Sequence, residues 1–248
     1  VLPYLRHAPS AASTNDEVAA WIRAGCEDGR ALYVDEQSAG RGRRGRRWEA
    51  PPGENLTLSV ALVGVRYQAV LLQIPLAAAV GASEAIRAVA GVDVAFKWPN
   101  DLFIGSAKLG GVLSEAVLDG AQLRGVVVGI GVNVLSDAAT LSARAGVPVA
   151  SLRSATGRSI DVAALAAAVR ERIVAACHRL RDGDREGVLA DWAARDATAG
   201  RRVNTDAGSG IALGIDGDGA LRVLLDDGRE HFVRSGEVTF APGGAVAG

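Results

Sequence analysis

Apolar and polar positions change period along this chain, and each change predicts an element. Leu56, Leu58, Val60 and Leu62 alternate with smaller or polar residues, the period of a strand with one buried face. Residues 31–35 and 92–97 read as further strands. The runs 109–118 and 122–134, joined at Asp119-Gly120, read as a β-hairpin. The most apolar helical stretch, with its helix near 72–90, is interrupted by Gln73, Pro75, Ser83, Glu84 and Arg87. It lacks the roughly 18 uninterrupted apolar residues of a membrane span and reads as a buried helix. Two more helices are expected at about 161–181 and 186–196; the first is Ala-rich with its charges on one side, as suits a helix covering a sheet. Near the N-terminus, Thr14 as N-cap with Glu17 three residues on makes a capping box; Val18 and Ile22 then form a stripe that Gly25 stops.

Past residue 198 the pattern shortens. β runs at 201–205, 211–216, 220–226, 229–234 and 237–240 are punctuated by Gly217-Asp218-Gly219 and Asp227-Gly228, which suggests a small barrel of SH3-like size. The chain is therefore expected to be α/β (α+β), with a large mixed domain over residues 1–197 and a small β domain over 198–248.

The 248 residues exceed the usual single-domain size, and an apolar share of 49% suffices for a sizeable core. The net charge of −1 offers nucleic acid no overall attractive field, so any positive charge that matters must be local. The two cysteines, Cys26 and Cys177, lack metal-ligand companions at CxxC spacing, and no signal-peptide pattern opens the chain; a cytoplasmic address is expected.

Local positive charge occurs in the predicted loop 36–54. From Gly40 to Arg47, three glycines alternate with five arginines, and Trp48 follows. Glycine lets a backbone approach a ligand closely, and arginine pairs bidentately with phosphate or carboxylate. The segment thus suits a flap over an anion, and equally an RNA-contacting loop. Three further segments stand out. Lys97-Trp98-Pro99-Asn100-Asp101 leaves a strand, with Lys97 able to neutralise phosphate and Asn100 and Asp101 able to ligate Mg²⁺ or orient a nucleophile, although Pro and Asn-Asp are also plain turn formers. Lys108 precedes a glycine pair and a β run. Gly129-Ile130-Gly131-Val132-Asn133 lacks the third glycine and following helix of a dinucleotide site.

The order Thr14-Asn15, GRGRRGR, KWPND, KLGG and GIGVN resembles that of the biotin–protein ligase family, most strongly over residues 10–135. The resemblance implies a mixed-sheet catalytic domain of the biotin/lipoate ligase type followed by a small SH3-like barrel. It also implies an activity: ATP-dependent formation of biotinyl-5'-AMP, then transfer of biotin to a lysine of a biotin carboxyl carrier protein. By the same resemblance Ser13, Thr14, Asn15, Gln37, Arg41, Gly42, Arg43 and Lys108 contact biotin. Arg43, Trp48, Lys97, Asn100, Lys108 and Asn133 contact the nucleotide, and Arg43, Lys108 and Asp101 carry the chemistry. Biotin and ATP are the implied substrates, with Mg²⁺ on the ATP phosphates and no dedicated metal site. Gly110 stands where many relatives have alanine, and Ser114 where an apolar residue is usual.

Some family members also carry an N-terminal winged-helix module. Only twelve residues precede Ser13 here, so no DNA partner is expected for this sequence; a monomer or a homodimer suits it equally. Biotin carboxylate must meet the α-phosphate of ATP. At about 4 Å and an effective dielectric near 20 each charge pair costs about 4 kcal/mol, which the arginines and Lys108 would offset. The three histidines lie outside every motif, in keeping with chemistry that needs no protein nucleophile. Ordering the Gly/Arg loop costs about 1–2 kcal/mol per residue, so closure is expected to depend on ligand.

Overall fold

The computed structural model describes residues 4–48 and 50–241. Its first sheet is mixed and seven-stranded, in the order β1-β2-β3-β7-β6-β5-β4. The strands are β1 (Leu5–Ala11), β2 (Ala31–Gln37), β3 (Asn55–Val63), β4 (Ala95–Lys97), β5 (Asp101–Ile104), β6 (Ala107–Asp119) and β7 (Gln122–Asn133). Only β1 and β2 run parallel; the other pairs are antiparallel.

Helices cover both faces. On one lie α2 (Ile74–Ala90) and α5 (Val162–Arg181), whose alanines and aliphatics meet Leu56, Leu58, Val60 and Leu62 in the main core. On the other, α1 (Thr14–Arg23) sets Val18 and Ile22 against Leu32, Val34 and Ala61. The alternation in β3 implied a single buried face, yet Thr57, Ser59 and Ala61 are buried as well. The physical reason is α1, which covers that face although its own polar start gave no sign of it. Two short helices, α3 (Ala138–Ala145) and α4 (Leu152–Thr156), and the mostly polar edge strand β1 were not predicted. The last helix, α6 (Arg185–Ala193), stops short of residue 196, because Arg195 and Ala197 turn to pair their backbones with Phe96.

A second, antiparallel sheet follows, in the order β11-β10-β9-β8-β12. It comprises β8 (Arg202–Thr205), β9 (Gly208–Ile215), β10 (Leu221–Leu225), β11 (Glu230–Val233) and β12 (Thr239–Phe240). Its turns reach back to the first sheet: Trp98 Nε1 donates to the Gly219 carbonyl at 3.0 Å and Gln73 Nε2 to that of Asp218 at 2.7 Å. Among the described residues no helix is long and apolar enough to cross a membrane.

Candidate active site

A cavity of about 170 Å³ opens over the middle of the seven-stranded sheet. Its floor is β7, and glycine makes that floor possible. A Cβ at Gly129 would fall 2.2 Å from Asn15 Oδ1, and one at Gly131 2.5 Å from the Trp48 ring. The glycines of GIGVN thus strip side chains from a strand so that α1 and Trp48 can lie against it. At Gly110 a Cβ would sit 2.1 Å from the Gly131 carbonyl oxygen. This chain leaves no room there for a methyl group.

One end of the cavity is neutral and polar. The helix begins at Thr14 with Ser13 as N-cap, and no side-chain cap bond forms, so the expected capping box is absent. The reason is competition: the Thr14 backbone N–H and hydroxyl both donate to Gln37 Oε1, at 2.7 and 3.0 Å. The Ser59 hydroxyl lies 2.7 Å from Thr14 Oγ1 and 2.6 Å from Asn15 Oδ1, and Asn15 Nδ2 donates to Glu115 at 2.5 Å. These amides and hydroxyls both donate and accept, so the recess suits an uncharged ligand bearing both kinds of group.

The opposite end is cationic. The Gly/Arg loop folds back on itself: Trp48 N–H donates to the Gly40 carbonyl, Gly42 N–H to that of Arg46, and Arg41 bridges Arg47. Its tip is a single helical turn over Arg43–Gly45, with Arg44 in the left-handed region (φ 56°). Arg41, where the loop passes the neutral end, forms a bidentate pair with Asp16 of α1 at 2.6 and 2.7 Å, which keeps its guanidinium charged and lowers the Asp16 pKa. Arg46 and Arg44 pair with Glu237, in the loop between β11 and β12. Arg43 instead turns inward. It is half-buried, burial lowers its pKa against the pull of Asp101, and its Nη1 donates to Asn100 Oδ1 at 3.3 Å.

The 97–101 turn faces that loop. Trp98 is buried beneath it, and its peptide bond to Pro99 is cis. Asn100 is pinned to β6, donating through Nδ2 to the Val112 carbonyl at 2.6 Å. Asp101 lies between two ammonium groups, 2.6 Å from Lys108 Nζ and 4.0 Å from Lys97 Nζ. Lys97 also donates to the Val238 carbonyl at 2.7 Å, and burial lowers its pKa. Both backbone groups of Lys108 are held by the 148–150 segment, which fixes where its side chain starts.

Of the candidate binding and catalytic residues named from the sequence, all but Ser13 and Asn133 line this cavity. Ser13 is a buried backbone cap. Asn133 donates to the Ala150 carbonyl at 3.1 Å and so steadies the segment that holds Lys108. Sequence reasoning missed Ser59, Glu115, Glu237 and Val238. Ser59 stood out only as a hydroxyl inside a leucine-rich strand, and Glu237 lies in another domain with no local signal. Among the described residues, no cluster of three or more His, Cys, Asp or Glu could hold a metal ion. Asn100 and Asp101 fit Mg²⁺ poorly, since one already accepts from Arg43 and the other faces two cations.

Comparison with known proteins gives concordant matches. Residues 8–133 match the model of the biotin/lipoate A/B protein ligase family, and residues 199–240 that of the biotin protein ligase C terminal domain. A biotin–[acetyl-CoA-carboxylase] ligase of Paracoccus denitrificans is 31% identical, with 92% of this chain and 97% of that protein covered. The bifunctional ligase/repressor BirA of Bacillus spizizenii is 31% identical over 81% of this chain, which spans 63% of that protein's length. Among solved structures, Aquifex aeolicus biotin protein ligase in complex with biotin and ATP superposes with a TM-score of 0.82 at 25% identity, covering 97% of this chain and 99% of that one. On this sequence and structural agreement, the chain belongs to the biotin/lipoate A/B protein ligase family.

Proposed function

We propose that this protein is an ATP-dependent biotin–protein ligase. It joins biotin to AMP with release of pyrophosphate, then passes the biotinyl group to a lysine of a biotin carboxyl carrier protein. The observation that carries the reading is one cavity with a neutral donor–acceptor recess at one end and Arg43 and Lys108 at the other. A bicyclic urea needs the first; a carboxylate meeting a phosphate needs the second. The names of the Paracoccus and Aquifex relatives support the same assignment.

In this reading Thr14, Asn15 and Gln37 bind the urea ring, and Arg41 and Gly42 close over it. Arg43 and Lys108 hold the biotin carboxylate and the α-phosphate together and stabilise charge on the departing pyrophosphate. Trp48 covers the nucleotide, Lys97 draws its phosphates, and Asn133 acts indirectly by steadying the Lys108 segment. Asp101 orients the incoming amine. It is not credited as a strong base, because an ordinary carboxylate is too weak to deprotonate lysine by itself. Magnesium would enter as the counterion of the ATP phosphates. A cytoplasmic setting accords with the two free cysteines.

The test is transfer of labelled biotin to a carrier domain in the presence of ATP and Mg²⁺, with biotin-dependent exchange of pyrophosphate into ATP measured alongside. Label on the carrier lysine and exchange are the expected results. Absence of both with folded protein would refute the proposal.

A further inference from the structure

Neither Ser59 nor Glu115 lines the first cavity, yet both bond to Asn15, which helps to form its neutral end. Strand register explains how. Ser59 of β3 pairs with Gly129 of β7, and Glu115 of β6 pairs with Val127, two residues back along β7. Three adjacent strands thus turn Ser59, Gly129 and Glu115 toward α1. Asn15, in the first turn of that helix, lies over Gly129, with the Ser59 hydroxyl against its oxygen and the Glu115 carboxylate against its nitrogen.

An asparagine amide fits the same space with its oxygen and nitrogen exchanged, so its neighbours decide which way it points. Here Glu115 decides. A carboxylate only accepts, so the group that faces it at 2.5 Å is Nδ2, and Oδ1 is left facing Ser59. Turned over, the amide would set its oxygen against the carboxylate. The charge that enforces this is balanced from the loop, where Arg41 Nη2 lies 3.6 Å from Glu115, and the recess itself stays neutral.

That orientation fixes a count of hydrogens. Gln37 Oε1, Thr14 Oγ1, Ser59 Oγ and Asn15 Oδ1 form a row whose successive contacts measure 3.0, 2.7 and 2.6 Å. Amide oxygens close both ends, Gln37 turning its own inward to accept the Thr14 backbone N–H. Only the two hydroxyls bring hydrogens to the row, so its three contacts are one hydrogen short. With the Asn15 amide turned over, Nδ2 would supply that hydrogen and the row would be complete without a ligand. We infer that Glu115 is a positioning residue for ligand recognition: by holding the Asn15 amide it keeps the recess short of hydrogen, and so matched to a ligand that brings N–H groups. The inference rests on the ligase reading above, in which that ligand is the bicyclic urea of biotin.

The Glu115 side chain is 40% exposed, so its substitution should leave the fold intact. Glu115→Leu removes both the acceptor and the charge, whereas Glu115→Gln removes the charge and keeps an acceptor for Asn15. Biotin-dependent pyrophosphate exchange on the full chain gives KM for biotin, KM for ATP and kcat, with urea unfolding measured alongside. In E115L the KM for biotin should rise about tenfold, as for one lost buried hydrogen bond, while KM for ATP, kcat and the unfolding midpoint stay at the parent values. E115Q should recover to within about threefold of the parent. On an Asn15→Ala background E115L should add nothing, since the group it positions is gone. A parent-like KM for biotin in E115L would overturn the assignment. So would an equal loss in E115Q, which would trace the effect to the Arg41 ion pair, or full additivity with N15A. A parent chain without biotin-dependent exchange would overturn the ligase reading and this assignment together.

Discussion

The two segments that face each other across the first cavity, the arginine loop and the 97–101 turn, are built on opposite principles. The loop is held by its own backbone and by exposed ion pairs, Arg41 with Asp16 and Arg46 with Glu237. Such pairs contribute about 0–1 kcal/mol each. The turn is anchored in the core: Trp98 is 3% exposed and bonds through its indole to Gly219 and through its backbone to Thr198. One side of the site is therefore tied by weak, exposed contacts, while the other holds Asn100 and Asp101 in fixed positions. The difference teaches where a substitution registers first: in stability on the turn side and, under the proposed function, in handling of the intermediate on the loop side.

The sharpest way to break this contrast is Trp98→Ala. Loss of a buried indole should destabilise the protein by about 3–5 kcal/mol, read as a lower urea midpoint. Arg46→Ala should stay within about 0.5 kcal/mol of the parent. Comparable losses in the two variants would show that loop and turn are equally embedded.

Next in size, Lys108→Ala should leave the unfolding midpoint close to the parent value and lower biotin-dependent pyrophosphate exchange about 10²–10³-fold, as for loss of one charge-stabilising donor. Exchange at the parent rate would remove Lys108 from the proposed chemistry.

The smallest effect concerns pH. The Arg46 hydrogen bond holds the Glu237 carboxyl below its ordinary 4.5, so the native state binds fewer protons there than the unfolded chain. The contribution of this tie is complete above about 4.5 and is lost as pH falls through the lowered folded value. Protease cutting between Arg41 and Arg47 should accelerate as pH drops through that window, and Glu237→Gln should flatten the dependence. An unchanged profile in E237Q would mean that the loop is held elsewhere.

Much of this was legible in the sequence because the relevant signals are local. The β6–β7 hairpin announced itself at Asp119-Gly120, and the leucines of β3 gave its parity. What was hidden depends on distant partners. The strand β1 has Pro9 and no alternation; it exists because β2 offers it a parallel ladder. Thr14 reads locally as a cap, yet Gln37, twenty-three positions away, takes both of its donors. Gly129 and Gly131 were seen to lack the setting of a dinucleotide loop, but nothing local showed that their work is to make way for Asn15 and Trp48. Glu237 could not be foreseen at all, since only the meeting of the two sheets brings it to Arg46.

That meeting has a consequence of its own. Gly236, Glu237 and Val238 line the first cavity, and the Val238 carbonyl grips Lys97. The loop that enters β12 is thus masonry in the cavity wall, and the five-stranded sheet no mere appendage. A shortened chain ending ahead of Gly236 would be a bowl with one side knocked out, its Lys97 untethered.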